Sequence, residues 1–418
     1  MAKLTLILLF AASATFAQNP EVNRYLAEAR KAIGAKDYPA AYEALHKAQL
    51  FHPYHQAILY NLGVMAAMTG RPEESIENLR KALYVNAGYK LGIDELSSVR
   101  DRPDFAQLLD LQKLLQAVEI HSDTAFVLND RTLHAESVTM HPTNGTCYVG
   151  SVHKKKIVEI TKAGTVTDFT GSGEYGLTAV LGLRVDPSGK FLWACSSPME
   201  EVENYDSLAP SRVFKFDLKT RKLLAQFELS DKGHVFGDLV VGRDGSVLVS
   251  DSRTNKIYRV NEAAHTLDYF FDSSDFWNIQ GITFSQDGKY LFISDYIKGP
   301  YRLELSNKKL IKLQTQVENS LKGIDGLLYY KGSLVALQNG TSPLRAMRFM
   351  LNASHDTIVN AEIIDQGHPA MNEPTQGAIV GDQLYYVATS QWGGYDANHL
   401  IKPGSELTDI VILKSKLK

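Results

Sequence analysis

Six positions beyond residue 130 recur in one local pattern, and most carry side chains that could do chemistry. Each is followed by a Gly, Ser or Asp and then by an apolar residue. In chain order the positions hold Glu136, Leu181, Gly237, Gln280, Asp325 and Gln376. Four of these residues offer carboxylate or amide oxygens. Such oxygens suit a hard cation better than they suit zinc, which prefers His and Cys. If the positions meet, the sequence predicts a site for Ca²⁺ first, or for Mg²⁺ or Mn²⁺; a hydrated polar channel without metal is the alternative.

The unit that would position these residues is a strand, a tight turn and a second strand. Its clearest copy spans residues 278–295, and the Asp287-Gly288 pair supplies the positive φ that a tight hairpin requires. Six such units follow one another at intervals of about 40 to 55 residues, each with further strand-like segments. This period predicts a six-bladed β-propeller over residues 125–418, and a Greek-key sandwich would not explain it. The first strand of each blade lines the central channel, so the six positions should converge there.

The chain before the propeller has a helical pattern from residue 18 to residue 117, rich in Ala, Leu, Glu and Lys. Residues 40–48 match residues 74–82 at a separation of 34, with Leu45 and Leu79 coinciding. That period is typical of tetratricopeptide repeats, so we expect a mainly β protein with a small tetratricopeptide-like helical domain at its N-terminus. The domain could be a prop packed on the propeller, or a docking arm for a protein partner.

The first 17 residues have the features of a signal peptide. Lys3 supplies a positive charge, residues 4–14 are apolar, and Thr15-Phe16-Ala17 resembles a cleavage site. A retained apolar helix is the alternative. No later run is apolar for long enough to span a membrane. We therefore expect a soluble mature chain that begins near Gln18 and is secreted or periplasmic.

Composition narrows the possible partners. The formal net charge is −3, which gives no basic surface for phosphate backbones, and we expect no nucleic-acid binding. The two cysteines, Cys147 and Cys195, fall three residues out of register when neighbouring units are aligned. We therefore expect buried free thiols, because a disulfide needs Cα atoms within about 7 Å.

The channel motifs also resemble a known family. Ala135-Glu136-Ser137, Gln280-Gly281-Ile282 and Ile324-Asp325-Gly326-Leu327, together with the Asp-Gly turns, look like the senescence-marker-protein, gluconolactonase and luciferin-regenerating superfamily of six-bladed propellers. The resemblance covers about residues 130–415. It implies a divalent cation held in the channel by a Glu, an Asn and an Asp, and an enzyme that opens lactone or ester bonds.

Carried over position by position, the resemblance implies that Glu136 and Asp325 are metal ligands. Gln280 stands where the family has Asn and would be the third ligand. Gly237 replaces an Asn found in the related paraoxonase-type propellers.

Metal-assisted hydrolysis would also need a base that activates water while the cation polarises the carbonyl. Asp325 is the first candidate and would double as a ligand. His134 is the second, because two-residue alternation along a strand places it on the same face as Glu136. The sequence thus supports two functions. One is an exported metal-dependent lactonase or esterase for a small molecule, and the other is a non-enzymatic binding or scaffolding propeller whose helical arm docks a protein.

Overall fold

The computed structural model describes residues 20–396 and 400–418. The predicted signal peptide, residues 1–17, lies outside the described residues. The chain forms two compact units. The first ends at Ala117 and includes Thr341–Pro343, and the second comprises Val118–Gly340 and Leu344–Lys418.

The first unit is helical, as predicted. Its helices are α1 (Pro20–Gly34), α2 (Tyr38–Phe51), α3 (Gln56–Met68), α4 (Pro72–Val85) and α5 (Pro103–Gln116), with a 3₁₀ turn at Asp94–Leu96. Four of them, α1, α2, α4 and α5, have a proline in the first turn, where the missing N–H costs no hydrogen bond. Helix α1 packs on α2, and α3 packs on α4. The tetratricopeptide assignment of these helices stays a prediction.

The second unit is a β-propeller, and the predicted fold class is confirmed. The described residues form six largely antiparallel sheets, the blades, which we number by the chain order of their first strands. Blade 1 is β3 (Ala135–Met140), β4 (Cys147–Ser151), β5 (Ile157–Ile160) and β6 (Val166–Asp168). Blade 2 is β7 (Ala179–Val185), β8 (Phe191–Ser197), β9 (Arg212–Asp217) and β10 (Lys222–Glu228). Blade 3 is β11 (Phe236–Val241), β12 (Val247–Asp251), β13 (Lys256–Asn261) and β14 (Thr266–Asp272).

The other three blades continue the pattern. Blade 4 is β15 (Ile279–Phe284), β16 (Tyr290–Asp295), β17 (Gly299–Glu304) and β18 (Leu310–Lys312). Blade 5 is β20 (Ile324–Tyr330), β21 (Ser333–Gln338), β22 (Arg345–Leu351) and β23 (Thr357–Gln366), with the short strands β1 (Glu119–Ile120) and β19 (Gln314–Thr315) added to β23. Blade 6 is β24 (Gly377–Val380), β25 (Gln383–Val387), β26 (Ile410–Lys416) and β2 (Ser122–Leu128).

The ring is closed in two ways. The first strands of neighbouring blades contact one another in the cyclic order β3, β7, β11, β15, β20, β24 and β3 again, so they surround the axis. In blade 6 the strand from the start of the propeller, β2, pairs with the last strand, β26, with Ser122 opposite Ser415 and Leu128 opposite Ile410. Joining the two ends of the propeller in one sheet leaves no open edge between its first and last blades.

Local features agree with the sequence expectations. The turn glycines Gly189, Gly245 and Gly288 have φ of 71°, 83° and 69°, as tight hairpins require. Cys147 and Cys195 are buried free thiols in the structure as described. None of the described helices is long and apolar enough to cross a membrane.

Candidate functional site

A β-bulge marks the predicted channel position in each of the first five blades. The pairing between the first and second strands shifts across Glu136, Leu181, Gly237, Gln280 and Asp325. A bulge bends the strand and turns a side chain away from the regular alternation, and bulges are common beside active sites. The sixth position, Gln376, lies directly before β24, and its backbone N–H donates to the Glu136 carbonyl at 3.3 Å.

The six positions converge on the axis. Gln376 Nε2 donates to the carbonyl of Gly237 at 2.8 Å, and these residues belong to blades 6 and 3, which are opposite in a six-membered ring. A side chain at position 237 would be crowded, because an added Cβ would lie 2.5 Å from Ser252 Oγ. Gln376 is 2% exposed, and its Oε1 has no hydrogen-bond partner among the described residues.

Glu136 is 6% exposed and accepts two hydrogen bonds on one oxygen. Ser390 Oγ and Trp392 Nε1 donate to Oε2 at 2.8 and 2.7 Å. Burial, followed by the charge of Asp325, holds the pKa of Glu136 well above its usual range, although the two donors oppose that shift. Glu136 and Asp325 are therefore close enough to repel each other when both are ionised.

Asp325 lies at the end of a short hydrogen-bonded chain. Asn339 Nδ2 donates to Asp325 Oδ2 at 2.7 Å, and the Tyr296 hydroxyl donates to Asn339 Oδ1 at 2.9 Å. Burial, with the charges of Glu373 and Asp238, raises the pKa of Asp325 to about 7. The amide and the phenol fix the orientation of the carboxylate.

Gln280 brings an amide oxygen to the same place. Its Nε2 donates to Asn278 Oδ1 at 2.7 Å, which sets the orientation of the side-chain amide. Its Oε1 accepts from Ser252 Oγ at 3.4 Å. The structure thus presents the oxygen of Gln280, where the family resemblance expects that of an Asn.

Glu373 joins the site and was missed at the sequence level. Burial raises its pKa to about 7, and its Oε2 accepts from the backbone N–H of Trp392 at 2.9 Å. Trp392 therefore links two acids, because its indole N–H is bound to Glu136. Glu373 lies in the loop before β24, and Trp392 begins a 3₁₀ turn, Trp392–Gly394, between β25 and β26. An acidic residue three positions before Gln376 was the available signal.

His134 has a different environment from the one that alternation predicts. It has left-handed backbone angles, φ 51° and ψ 69°, directly before the bulge at Glu136, so the alternation is interrupted. Its ring is fully buried, stacked on Tyr395 and edge-on to Trp392, each at a centroid distance of 4.7 Å. Burial, and secondarily the charge of His153, lower the pKa of His134 to about 3. A neutral ring packed in this way supports Trp392 and is poorly placed to take up protons.

The side chains that meet at the axis offer mainly oxygen atoms as donors to a cation. Within residues 20–396 and 400–418, no three His, Cys, Asp or Glu side chains form a metal-binding cluster. The available donors are carboxylate oxygens of Glu136 and Asp325 and amide oxygens of Gln280 and Gln376, which suit a hard cation. The hydrogen-bond donors to Glu136, Asp325 and Glu373 in the described chain are the neutral groups of Ser390, Trp392 and Asn339, so none of these partners brings a positive charge. The donors present therefore fit Ca²⁺, Mg²⁺ or Mn²⁺ and do not fit zinc.

Comparison with known proteins gives only distant likenesses. No protein-family model matches the sequence, and no curated protein matches it. Among solved structures, the pyrroloquinoline-quinone-bound aldose sugar dehydrogenase of Streptomyces coelicolor is 14% identical with a TM-score of 0.48, over 72% of this chain and 98% of that one. A gluconolactonase of Xanthomonas campestris is 12% identical with a TM-score of 0.48, over 72% and 91%. Virginiamycin B lyase of Staphylococcus aureus is 15% identical with a TM-score of 0.45, over 68% and 80%.

Proposed function

We propose that the protein is an exported hydrolase that opens a lactone or ester bond of a small molecule in the propeller channel, using a divalent cation held by Glu136, Gln280 and Asp325. One observation carries the proposal. Acidic side chains converge with amide oxygens at the axis, and the side chains that donate to Glu136 and Asp325 in the described chain, those of Ser390, Trp392 and Asn339, are neutral.

A cation explains this arrangement better than water alone. Burying carboxylates together without a counter-charge costs free energy, which is why the pKa values of Glu136 and Asp325 are raised. The buried Gln376 Oε1, without a hydrogen-bond donor in the described chain, is a further unsatisfied oxygen at the same axis. A hydrated channel would satisfy that oxygen but would leave the acids facing one another.

In the proposed hydrolysis, the cation, the base and the positioning residues have separate roles. When bound, the cation would polarise the substrate carbonyl and stabilise the negative charge that develops on its oxygen. Asp325 is the base that removes a proton from the attacking water. Asn339 donates to Oδ2 of Asp325, which leaves Oδ1 to serve the cation and the attacking water, and Tyr296 in turn holds Asn339. Ser390 and Trp392 hold Glu136 in the same way.

The direct test is hydrolysis measured on purified mature protein with a panel of aldonolactones, alkyl lactones and esters, with and without chelator. We expect turnover that is lost on chelation, restored by Ca²⁺ or Mn²⁺, and abolished by Asp325→Asn. The control is Asp382→Asn, an exposed acid paired with Lys331, which should leave turnover unchanged. Absence of turnover for the whole panel, with no bound metal in the purified protein, would overturn the proposal.

One observation favours the second function, a binding or scaffolding propeller. Oε2 of Glu136 already accepts two donors, so part of the predicted metal ligand is satisfied without metal. In that case the helical unit would dock a protein partner, and the propeller would bind no cation. The variant Glu136→Gln would then recover the partner from a lysate as well as the wild type does.

A further inference from the structure

The side chain of Gln376 crosses the channel axis. Its Nε2 donates to the carbonyl of Gly237 at 2.8 Å, and the two residues come from blades 6 and 3, on opposite sides of the ring. A backbone carbonyl can only accept a hydrogen bond, so the atom bound to it must be the amide nitrogen. The orientation of the amide is therefore fixed, and Oε1 is the atom that has no hydrogen-bond partner among the described residues.

The backbone of Gln376 lies between the strands that carry the two channel acids. Its N–H donates to the carbonyl of Glu136 in blade 1 at 3.3 Å. On the other side, a Cβ added to Gly326, which directly follows Asp325 in blade 5, would lie 3.2 Å from the Cα of Gln376. Blade 6 thus brings Gln376 into contact with both acidic strands.

The far end of the side chain lies near Gln280. A Cβ added to Gly237 would lie 3.5 Å from Oε1 of Gln280, and the carbonyl of Gly237 is the group that Gln376 binds. The amide of Gln376 is therefore placed among the residues that offer the proposed ligand oxygens, Glu136, Gln280 and Asp325.

Burial makes the unpartnered oxygen costly. Gln376 is 2% exposed, and a buried polar atom without a partner raises the free energy of the folded state. The hydrogen bond to Gly237 accounts for Nε2 and leaves Oε1 unexplained. Amide oxygens are ordinary ligands of Ca²⁺, and a cation held by the neighbouring carboxylates would satisfy this one.

We infer that Oε1 of Gln376 is a fourth ligand of the channel cation, supplied from blade 6 in addition to Glu136, Gln280 and Asp325 of blades 1, 4 and 5. This inference rests on the proposed function and adds a residue to the three that hold the cation there. The two ends of the amide have separate roles, because Nε2 fixes the group against Gly237 while Oε1 ligates. A glutamine that merely linked blades 3 and 6 would need Nε2 alone.

Calorimetric titration of metal-free protein with Ca²⁺ at pH 8 tests the inference with two substitutions of different kinds. Gln376→Met has a similar length and lacks both amide atoms, so we expect Ca²⁺ affinity to fall by about 10- to 100-fold. Gln376→Glu cannot donate to Gly237, but it keeps an oxygen ligand and adds a negative charge. Its Ca²⁺ affinity should equal or exceed that of the wild type. The two variants therefore separate ligation from the link between blades.

Gln112→Met is the matched control. In helix α5, Gln112 also donates its Nε2 to backbone carbonyls, those of Ala87 and Tyr89, each at 2.7 Å. It belongs to the helical unit and not to the channel. The control should therefore bind Ca²⁺ as tightly as the wild type, and a loss as large as that of Gln376→Met would overturn the inference.

The outcomes distinguish this inference from the proposed function. If Gln376→Met binds Ca²⁺ as tightly as the wild type, or if Gln376→Glu loses as much affinity as Gln376→Met, the fourth ligand is overturned and the proposed function stands. Absence of Ca²⁺ binding to the wild type would overturn the inference together with the cation of the proposed function. If Gln376→Met does not fold, Gln376→Glu decides, because binding at least as tight as that of the wild type supports ligation and loss of binding overturns it.

Discussion

At the scale of single residues, the orientation of the channel acids is fixed by hydrogen bonds from neighbouring side chains. Asp325 is oriented by Asn339, which is oriented by Tyr296, and Glu136 is oriented by Ser390 and Trp392. Side chains that hydrogen-bond a ligand or a base in this way fix its orientation, and their loss lowers metal affinity or activity.

Asn339→Ala tests the orientation of Asp325. Loss of the 2.7 Å hydrogen bond should lower kcat/KM and cation affinity by about 10- to 100-fold, because the carboxylate becomes free to rotate. Thermal unfolding should change little. The comparison variant is Asn360→Ala on β23, an exposed asparagine; equal effects of the two substitutions would count against a positioning role.

The carboxyl group of Glu373 should make the free energy of unfolding depend on pH. Its pKa is raised to about 7 in the folded protein, so the folded state holds this proton more tightly than the unfolded chain does. The stability that this group contributes is fully present below the unfolded pKa of about 4.3 and is lost as pH rises through about 7.

In metal-free protein, Glu373→Gln should therefore raise the free energy of unfolding at pH 8 relative to wild type by about 1 to 3 kcal/mol and leave it nearly unchanged at pH 4. Urea unfolding across that range measures it. A difference between variant and wild type that does not change with pH would contradict the assignment.

At the scale of elements, the bulges in the first strands place the site. They turn Glu136, Gln280 and Asp325 from strand positions into channel positions, and a bulge at Gly237 lets Gln376 reach across the axis. A regular strand would leave these side chains alternating between its two faces.

Gly237→Ala tests the packing at one bulge. The new Cβ would lie 2.5 Å from Ser252 Oγ, so we expect a loss of about 1 to 3 kcal/mol in the free energy of unfolding. Gly237→Ala combined with Ser252→Ala should recover most of it, because the hydroxyl is removed. Gly92→Ala is the control, since its Cβ would meet no described atom within 4 Å. Failure of the double variant to recover stability would show that the strain lies elsewhere.

The sequence predicted the channel positions because the propeller repeats the same turn at a fixed distance from each of them. It could not predict the bulges, which depend on how two strands pair, or the environment of His134, which follows from them. Glu373 and Trp392 lie outside the repeat in loops, and their proximity to Glu136 is decided by the closed ring. The residues of the site that belong to the repeat could therefore be predicted from the sequence, and the residues outside the repeat could not.

At the scale of the whole propeller, closure holds the ring of channel residues at a fixed diameter. β2 pairs with β26, and the buried Asp365 of β23 accepts hydrogen bonds from the backbone N–H groups of His121 and Ser122 and from the Tyr386 hydroxyl. One side chain thus ties the first propeller strands to blades 5 and 6.

Asp365→Ala should lower the free energy of unfolding by about 2 to 4 kcal/mol, because two backbone donors and a phenol lose a buried charged acceptor. Urea unfolding of the full chain measures the change, with Asp382→Asn as the exposed comparison. A loss no larger than that of the comparison variant would show that closure depends on strand pairing alone.

The channel acids should bind a divalent cation. Calorimetric titration of metal-free protein with Ca²⁺ and with Mn²⁺ tests it most directly, on wild type, Glu136→Gln, Asp325→Asn and the Asp382→Asn control. We predict a single saturable site per chain that is retained in the control and lost in both channel variants. Absence of binding to the wild type, or binding that survives both channel substitutions, would contradict the claim.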